Sequence, residues 1–154
     1  MFYKTAGGKM PELPEVETVR RGLEKLIIGS KIIDVQLPYP KVITGDGQQF
    51  ITGVMNTEFK QIDRRGKYLL LRLANNHTIV SHLRMEGQYS VESLETVPYK
   101  HTEIVFELSD KRDLFYNDTR RFGRMALTTT GFENTEVPSL SKLGPEPTEE
   151  QLTL

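Results

Sequence analysis

The run Met10-Pro11-Glu12-Leu13-Pro14-Glu15-Val16-Glu17-Thr18 decides how this chain is read. A proline and three acids lead straight into a helical pattern, in which Val16, Val19, Leu23, Leu26 and Ile27 recur on one face. Pro14 opens the segment, acids fill its first turn and Gly29 closes it, which predicts a helix over 14–28. Glu17 and Arg21 stand four apart with the acid first, the favourable order for an ion pair on a helix. Chemistry alone leaves two readings of Pro11 open. It is a Pro-rich lead-in, or, as a first residue, a secondary amine flanked by carboxylates that attacks a sugar or carbonyl carbon and forms a Schiff base. A free α-amine, with a pKa of roughly 7.7–8.0 against about 10.4 for lysine, needs little tuning for that work. Glu15 either points into such a site or complements the helix dipole.

Beyond Gly29 the apolar period changes to two. Ile33, Val35 and Leu37 alternate, then Tyr68–Leu73 and Thr78–Leu83 flank Asn75-Asn76 as a hairpin. Tyr89–Val91 follows, then Glu103–Leu108 and Leu114–Tyr116 around Ser109-Asp110-Lys111, then Met125–Thr128. Thr44–Gln49, with Gly45 and Gly47, reads as a polar turn or mobile loop. Seven or eight short strands and one leading helix predict a mainly β (α+β) fold, a two-layer β-sandwich with the helix packed on it. Residues 1–9, MFYKTAGGK, read as an upstream extension jointed at Gly7-Gly8, or as a short ordered strand. One domain is expected over residues 10–140.

At 154 residues and 37% hydrophobic, the chain can bury one core of ordinary size. It has no cysteine, hence no disulfide and no thiolate metal site, and His77, His82 and His101 are too scattered for a zinc set. No apolar run approaches the roughly 18 residues of a membrane span, and residues 1–9 lack a signal peptide's apolar core. A soluble cytoplasmic monomer is the expectation. Net charge is −1, but residues 132–154 carry five acids against Lys142 and leave +3 for residues 1–131. The bases cluster at Arg64, Arg65 and Lys67 and again at Arg120, Arg121 and Arg124. Local clusters, rather than net charge, neutralise phosphates. The Arg64-Arg65-Gly66-Lys67 run is either a solvated strand end or such a cluster. A lone His82 beside Leu83 reads as a packed histidine, and Met85 as core filler.

Five ordered motifs add a resemblance. Pro11 to Leu23, Arg65-Gly66-Lys67-Tyr68, Ser81-His82-Leu83-Arg84-Met85-Glu86-Gly87, Asp118-Thr119-Arg120-Arg121-Phe122-Gly123 and Leu143-Gly144-Pro145-Glu146-Pro147 resemble the bacterial formamidopyrimidine-DNA glycosylases. The sister endonuclease VIII family is similar too, but usually carries Gly where Leu13 stands. The resemblance implies a base-excision repair enzyme, a bifunctional DNA glycosylase and lyase that removes oxidised purines from damaged double-stranded DNA. Pro11 would be the nucleophile and Glu12 the general acid, with Glu15 and Lys67 assisting. Lys67 and His82 would contact phosphates. Met85, Arg120 and Phe122 would fill the space an extruded nucleotide leaves, and Arg65 and Arg121 would bind the DNA. It also implies that residues 141–154 begin a hinge to a helix–two-turns–helix domain whose four-cysteine finger holds zinc, with no cofactor in this chain. The chain as it stands is then expected to be inactive, since residues before Met10 turn the Pro11 amine into an amide. Two alternatives remain: a catalytically silent DNA-binding or interaction module, and an endonuclease VIII-like glycosylase for oxidised pyrimidines.

Overall fold

The computed structural model describes residues 2–4 and 13–137, with side chains from Glu15 onward. Helix α1 spans Leu13–Ile27. Val16, Val19, Leu23 and Ile27 on its apolar stripe are buried in the main core, with Leu26 packed at the margin. Fully burying side chains of this kind stabilises by roughly 1.5–3 kcal/mol each, so packing holds the helix more than propensity does. The predicted Glu17–Arg21 pair forms, at 2.9 Å.

Nine described strands make two antiparallel sheets: β1 Phe2–Lys4, β2 Ile32–Gln36, β3 Phe59–Arg65, β4 Tyr68–Leu73, β5 His77–His82, β6 Gly87–Ser93, β7 Thr102–Leu108, β8 Arg112–Asp118 and β9 Arg124–Thr129. One sheet has the order β1-β6-β8-β7-β2 and the other β3-β4-β5-β9. Their inner faces share one core, in which Phe106 meets Phe50 and Phe59 at 6.3 and 6.0 Å between ring centroids. The expected two-layer sandwich with an N-terminal helix is therefore present. The short strand in residues 1–9 is also real, since Phe2–Lys4 pairs with Gln88–Ser90.

Three local expectations are corrected. The stretch read as a loop over Thr44–Gln49 runs into helix α2, Gly47–Val54, whose N-cap Asp46 accepts from the amides of Gln48 and Gln49. Phe50 and Val54, one turn apart, bury its face and outweigh the glycine. Beyond the strand end considered at Arg64-Arg65, strand β3 was not expected, because its charged sequence is broken by a bulge after Phe59. On β2, Ile33 was placed on the core side with Val35. A bulge between Ile32 and Asp34 turns Ile33 outward, 41% exposed, and seats Ile32 in the core instead. A last helical turn, α3, covers Glu133–Glu136.

Candidate nucleic-acid interface

The basic residues gather at one end of the four-stranded sheet. Register places Arg65 opposite Tyr68, Tyr68 opposite His82 and His82 opposite Arg124, a row across all four strands. Just past this row lies the two-residue Gly66-Lys67 turn, where Gly66 takes φ +58°. Both connections between the sheets on this side arrive at the same end. Residues 83–86 cross from β5 to β6, and residues 119–123 cross from β8 to β9. Gly87 and Asp118, which bound these crossovers, are paired residues. Arg120 Nε lies 3.9 Å from Glu86 Oε1, joining one crossover to the other.

Helix α1 is fixed to this end through Glu17. Its carboxylate accepts from Arg20, from Arg21 and, at 3.2 Å, from Arg64 Nε, whose Nη1 donates to the Gly66 carbonyl. Arg20 also donates to the Ile62 carbonyl on β3. The guanidiniums, Arg20 first, hold the Glu17 pKa down at about 2 against the cost of burial. Arg64 is consequently buried and committed to the fold, which corrects its place among the free bases of the sequence. Arg124 is spent likewise, its Nη1 donating to the carbonyls of Arg121 and Gly123 at 2.7 Å each. Arg120, Arg121 and Phe122 remain outward, with Phe122 55% exposed.

Asp118 builds the second crossover. Its Oδ1 accepts from the amides of Arg120 and Arg121 at 3.1 and 3.0 Å, and its Oδ2 from the amide of Gly123 at 2.8 Å. Arg121 there takes φ +60° and stacks its guanidinium 4.4 Å over the Tyr39 ring. The Tyr116 hydroxyl donates to Asp118 beneath the loop. A Cβ at Gly87 or Gly123 would collide with that hydroxyl, so both motif glycines are required by close approach. Sequence reasoning missed Asp118, Tyr116 and Tyr39. The available signal was an aspartate heading a turn that ends in glycine.

His82 is half-buried, its ring edge-on to Tyr68 at 4.6 Å. Its Nδ1 accepts from the Arg84 amide at 3.0 Å, which assigns the proton of the neutral ring to Nε2. Burial first, then the charges of Arg84 and Lys67, push its pKa down to about 4. A neutral ring with an Nε2–H donor can bind an anion without carrying charge itself. Met85 and Lys67 are half-buried in their turns, and Glu15 is half-buried in the first turn of α1. Pro11 and Glu12 lie outside the described residues. Among the described residues no group of three or more His, Cys, Asp or Glu could hold a metal, and no helix is long and apolar enough to cross a membrane.

Fold and site together define a two-sheet sandwich that presents arginine-bearing crossovers and a basic turn at one end. The chain belongs to the formamidopyrimidine-DNA glycosylase family: the model of that family's N-terminal domain matches residues 10–125. Two curated relatives of that name are similar to it. The one from Lactiplantibacillus plantarum is 55% identical over 145 residues, 94% of this chain and 53% of the relative. The one from Ligilactobacillus salivarius is 54% identical over 140 residues, 91% of this chain and 50% of the relative. This chain thus spans about half the length of these relatives. A crystal structure of the Lactococcus lactis enzyme bound non-covalently to DNA containing an abasic site superposes with a TM-score of 0.83 at 38% identity. It aligns over 91% of this chain and 53% of that one. A complex of the same enzyme with DNA containing N7-benzyl-Fapy-dG gives 0.83 at 39% identity, over 91% and 51%.

Proposed function

We propose that this chain supplies the catalytic half of a base-excision DNA glycosylase and lyase acting on oxidised purines in double-stranded DNA. The observation that carries the reading is the convergence of Lys67, His82 and the two crossovers at one end, with the first turns of α1 fixed to that end through Glu17 and Arg64. The helix whose start adjoins the basic turn begins two residues after Pro11.

A base inside a duplex is out of reach, so the damaged nucleotide must leave the stack, at a cost of a few kcal/mol. Met85 on one crossover and Arg120 and Phe122 on the other enter the gap: an apolar chain, a guanidinium and an aromatic wedge. Lys67 and the His82 Nε2–H bind the phosphates that flank it. The Pro11 nitrogen then attacks C1′ as the glycosidic bond breaks, with Glu12 as acid at the ring oxygen and Glu15 assisting. The iminium acidifies the neighbouring C–H, and β- then δ-elimination break the phosphoester bonds on both sides. This route requires Pro11 to carry a free amine. The family's zinc finger would be built from cysteines, which this sequence lacks, so its residues offer that ion no thiolate ligand.

The test is borohydride trapping on a duplex containing 8-oxoguanine, with full-length protein whose first residue is Pro11. A covalent adduct through the Pro11 amine is expected. Trapping that persists once that amine is acetylated would move the nucleophile elsewhere, Lys67 first.

A further inference from the structure

Glu103 is completely buried, and neither of its carboxyl oxygens has a hydrogen-bond partner. It is the extra residue of a bulge: the β7–β8 register passes from Thr102 opposite Asn117 to Ile104 opposite Tyr116, which leaves Glu103 unopposed. Bulges re-aim side chains, and this one buries the carboxyl where charged groups of the 119–123 crossover and its flanking strands act on it. The charges of Asp118 on β8, Arg121 on the crossover and Arg124 on β9 act on it, and it in turn acts on the Tyr116 hydroxyl of β8. Tyr89 of β6 packs on Tyr116, with ring centroids 5.1 Å apart. The Tyr39 amide donates to the Glu103 carbonyl, while the Tyr39 ring carries Arg121.

A buried carboxyl with no partner is costly in its charged form. Both oxygens of Asp118 accept hydrogen bonds from the crossover, whereas those of Glu103 accept none, so burial keeps the Glu103 carboxyl protonated. We propose that Glu103 is a positioning residue for the crossover that bears Arg120 and Phe122. Its neutral carboxyl leaves Asp118 unopposed in holding the Arg120, Arg121 and Gly123 amides. An ionised Glu103 draws in a guanidinium. Arg121 then leaves Tyr39, or Arg124 leaves the carbonyls of Arg121 and Gly123, and either movement takes the crossover out of register with DNA. The inference rests on the proposed function only in naming DNA as the ligand.

Burial first, then Asp118, push the Glu103 pKa up to about 8, while Arg121 and Arg124 act the other way. The competent crossover is therefore complete at pH 6.5 and falls to about a tenth at pH 9, where apparent duplex affinity should drop about tenfold. Two measurements on the full-length protein test this. In DNA-free protein, the amide resonances of Arg120, Arg121 and Gly123 should titrate together with the Glu103 carboxyl carbon, and should stay flat in Glu103→Gln. In binding to an abasic-analogue duplex at fixed salt, wild type should weaken between pH 6.5 and 9, and Glu103→Gln should change less than twofold. Amides that stay flat while Glu103 titrates would overturn the proposal, as would an unchanged pH profile in Glu103→Gln. Absence of duplex binding at every pH, with the amides still titrating, would leave the positioning role standing and count against DNA as the ligand. Glu103→Gln keeps the side chain's shape, and a thermal melt at pH 6.5 confirms its fold.

Discussion

Glu17 on α1 and Arg64 on β3 meet at 3.2 Å across 47 residues of sequence, and Arg64 passes the contact on to the Gly66 carbonyl. The amino-terminal helix and the basic turn are thereby one mechanical unit.

Removing Arg64 should loosen that unit. In Arg64→Ala, Glu17 keeps Arg20 and Arg21, so the loss should be about 1.5–3 kcal/mol, the range for hydrogen bonds to charged groups. Glu17 has a folded pKa near 2 against the ordinary 4.5 of a glutamate, so its contribution is complete above 4.5 and lost as pH falls toward 2. Urea unfolding at pH 7 and at pH 3 reads both effects. A change below 0.5 kcal/mol at pH 7 would show that packing alone fixes the helix.

Gly123→Ala should disrupt the 119–123 crossover, because the added methyl meets the Tyr116 hydroxyl and approaches Asp118 Oδ2 at 2.8 Å. Tyr116→Phe removes one of these obstacles. The double variant should therefore recover part of the Gly123→Ala loss in melting temperature. Additive losses would place the strain elsewhere.

Met85, Arg120 and Phe122 should matter more for turnover on a lesion duplex than on a single-stranded abasic site, which has no gap to fill. On the proposed function Arg120→Ala should be the most damaging, since its guanidinium would both stack in the gap and hydrogen-bond an orphaned base edge. Matched kinetics on the two substrates decide it. Equal losses would mean that these residues only support the fold.

His82 should remain neutral through the physiological range. Its folded pKa near 4 lies below the ordinary 6.5, so the folded state resists protonation. Its contribution to stability is complete above 6.5 and is lost as pH falls from there toward 4. Imidazole resonances followed by NMR should show no His82 titration above pH 5.5 in free protein. A midpoint near 6.5 would contradict the enclosed geometry.

Helix α1 and most strands were legible because their apolar residues repeat with a single period and end at glycine, proline or asparagine. Ile33 and β3 were not, since a bulge shifts the period by one residue and leaves no mark in composition. Gly45 and Gly47 hid α2, although Asp46 before Phe50 and Val54 was a usable sign. Arg64 and Arg124 look in sequence like any exposed base, and only the folded chain shows them occupied, Arg64 by distant Glu17 and nearby Gly66 and Arg124 by the carbonyls of Arg121 and Gly123. Glu103 was hidden inside a run read simply as a strand. The grouping of Lys67, His82, Met85, Arg120 and Phe122 came from family resemblance, because no local pattern reports that two crossovers end side by side.

The row from Arg65 through Tyr68 and His82 closes only when Arg124, 42 residues beyond His82, docks at its edge. During synthesis the basic turn therefore leaves the ribosome well before the strand that completes its surface. A chain arrested short of β9 would have the charges of a nucleic-acid binder but no surface on which to arrange them. Specific recognition should consequently appear late and abruptly in vectorial folding, after the last strand of the second sheet has been released.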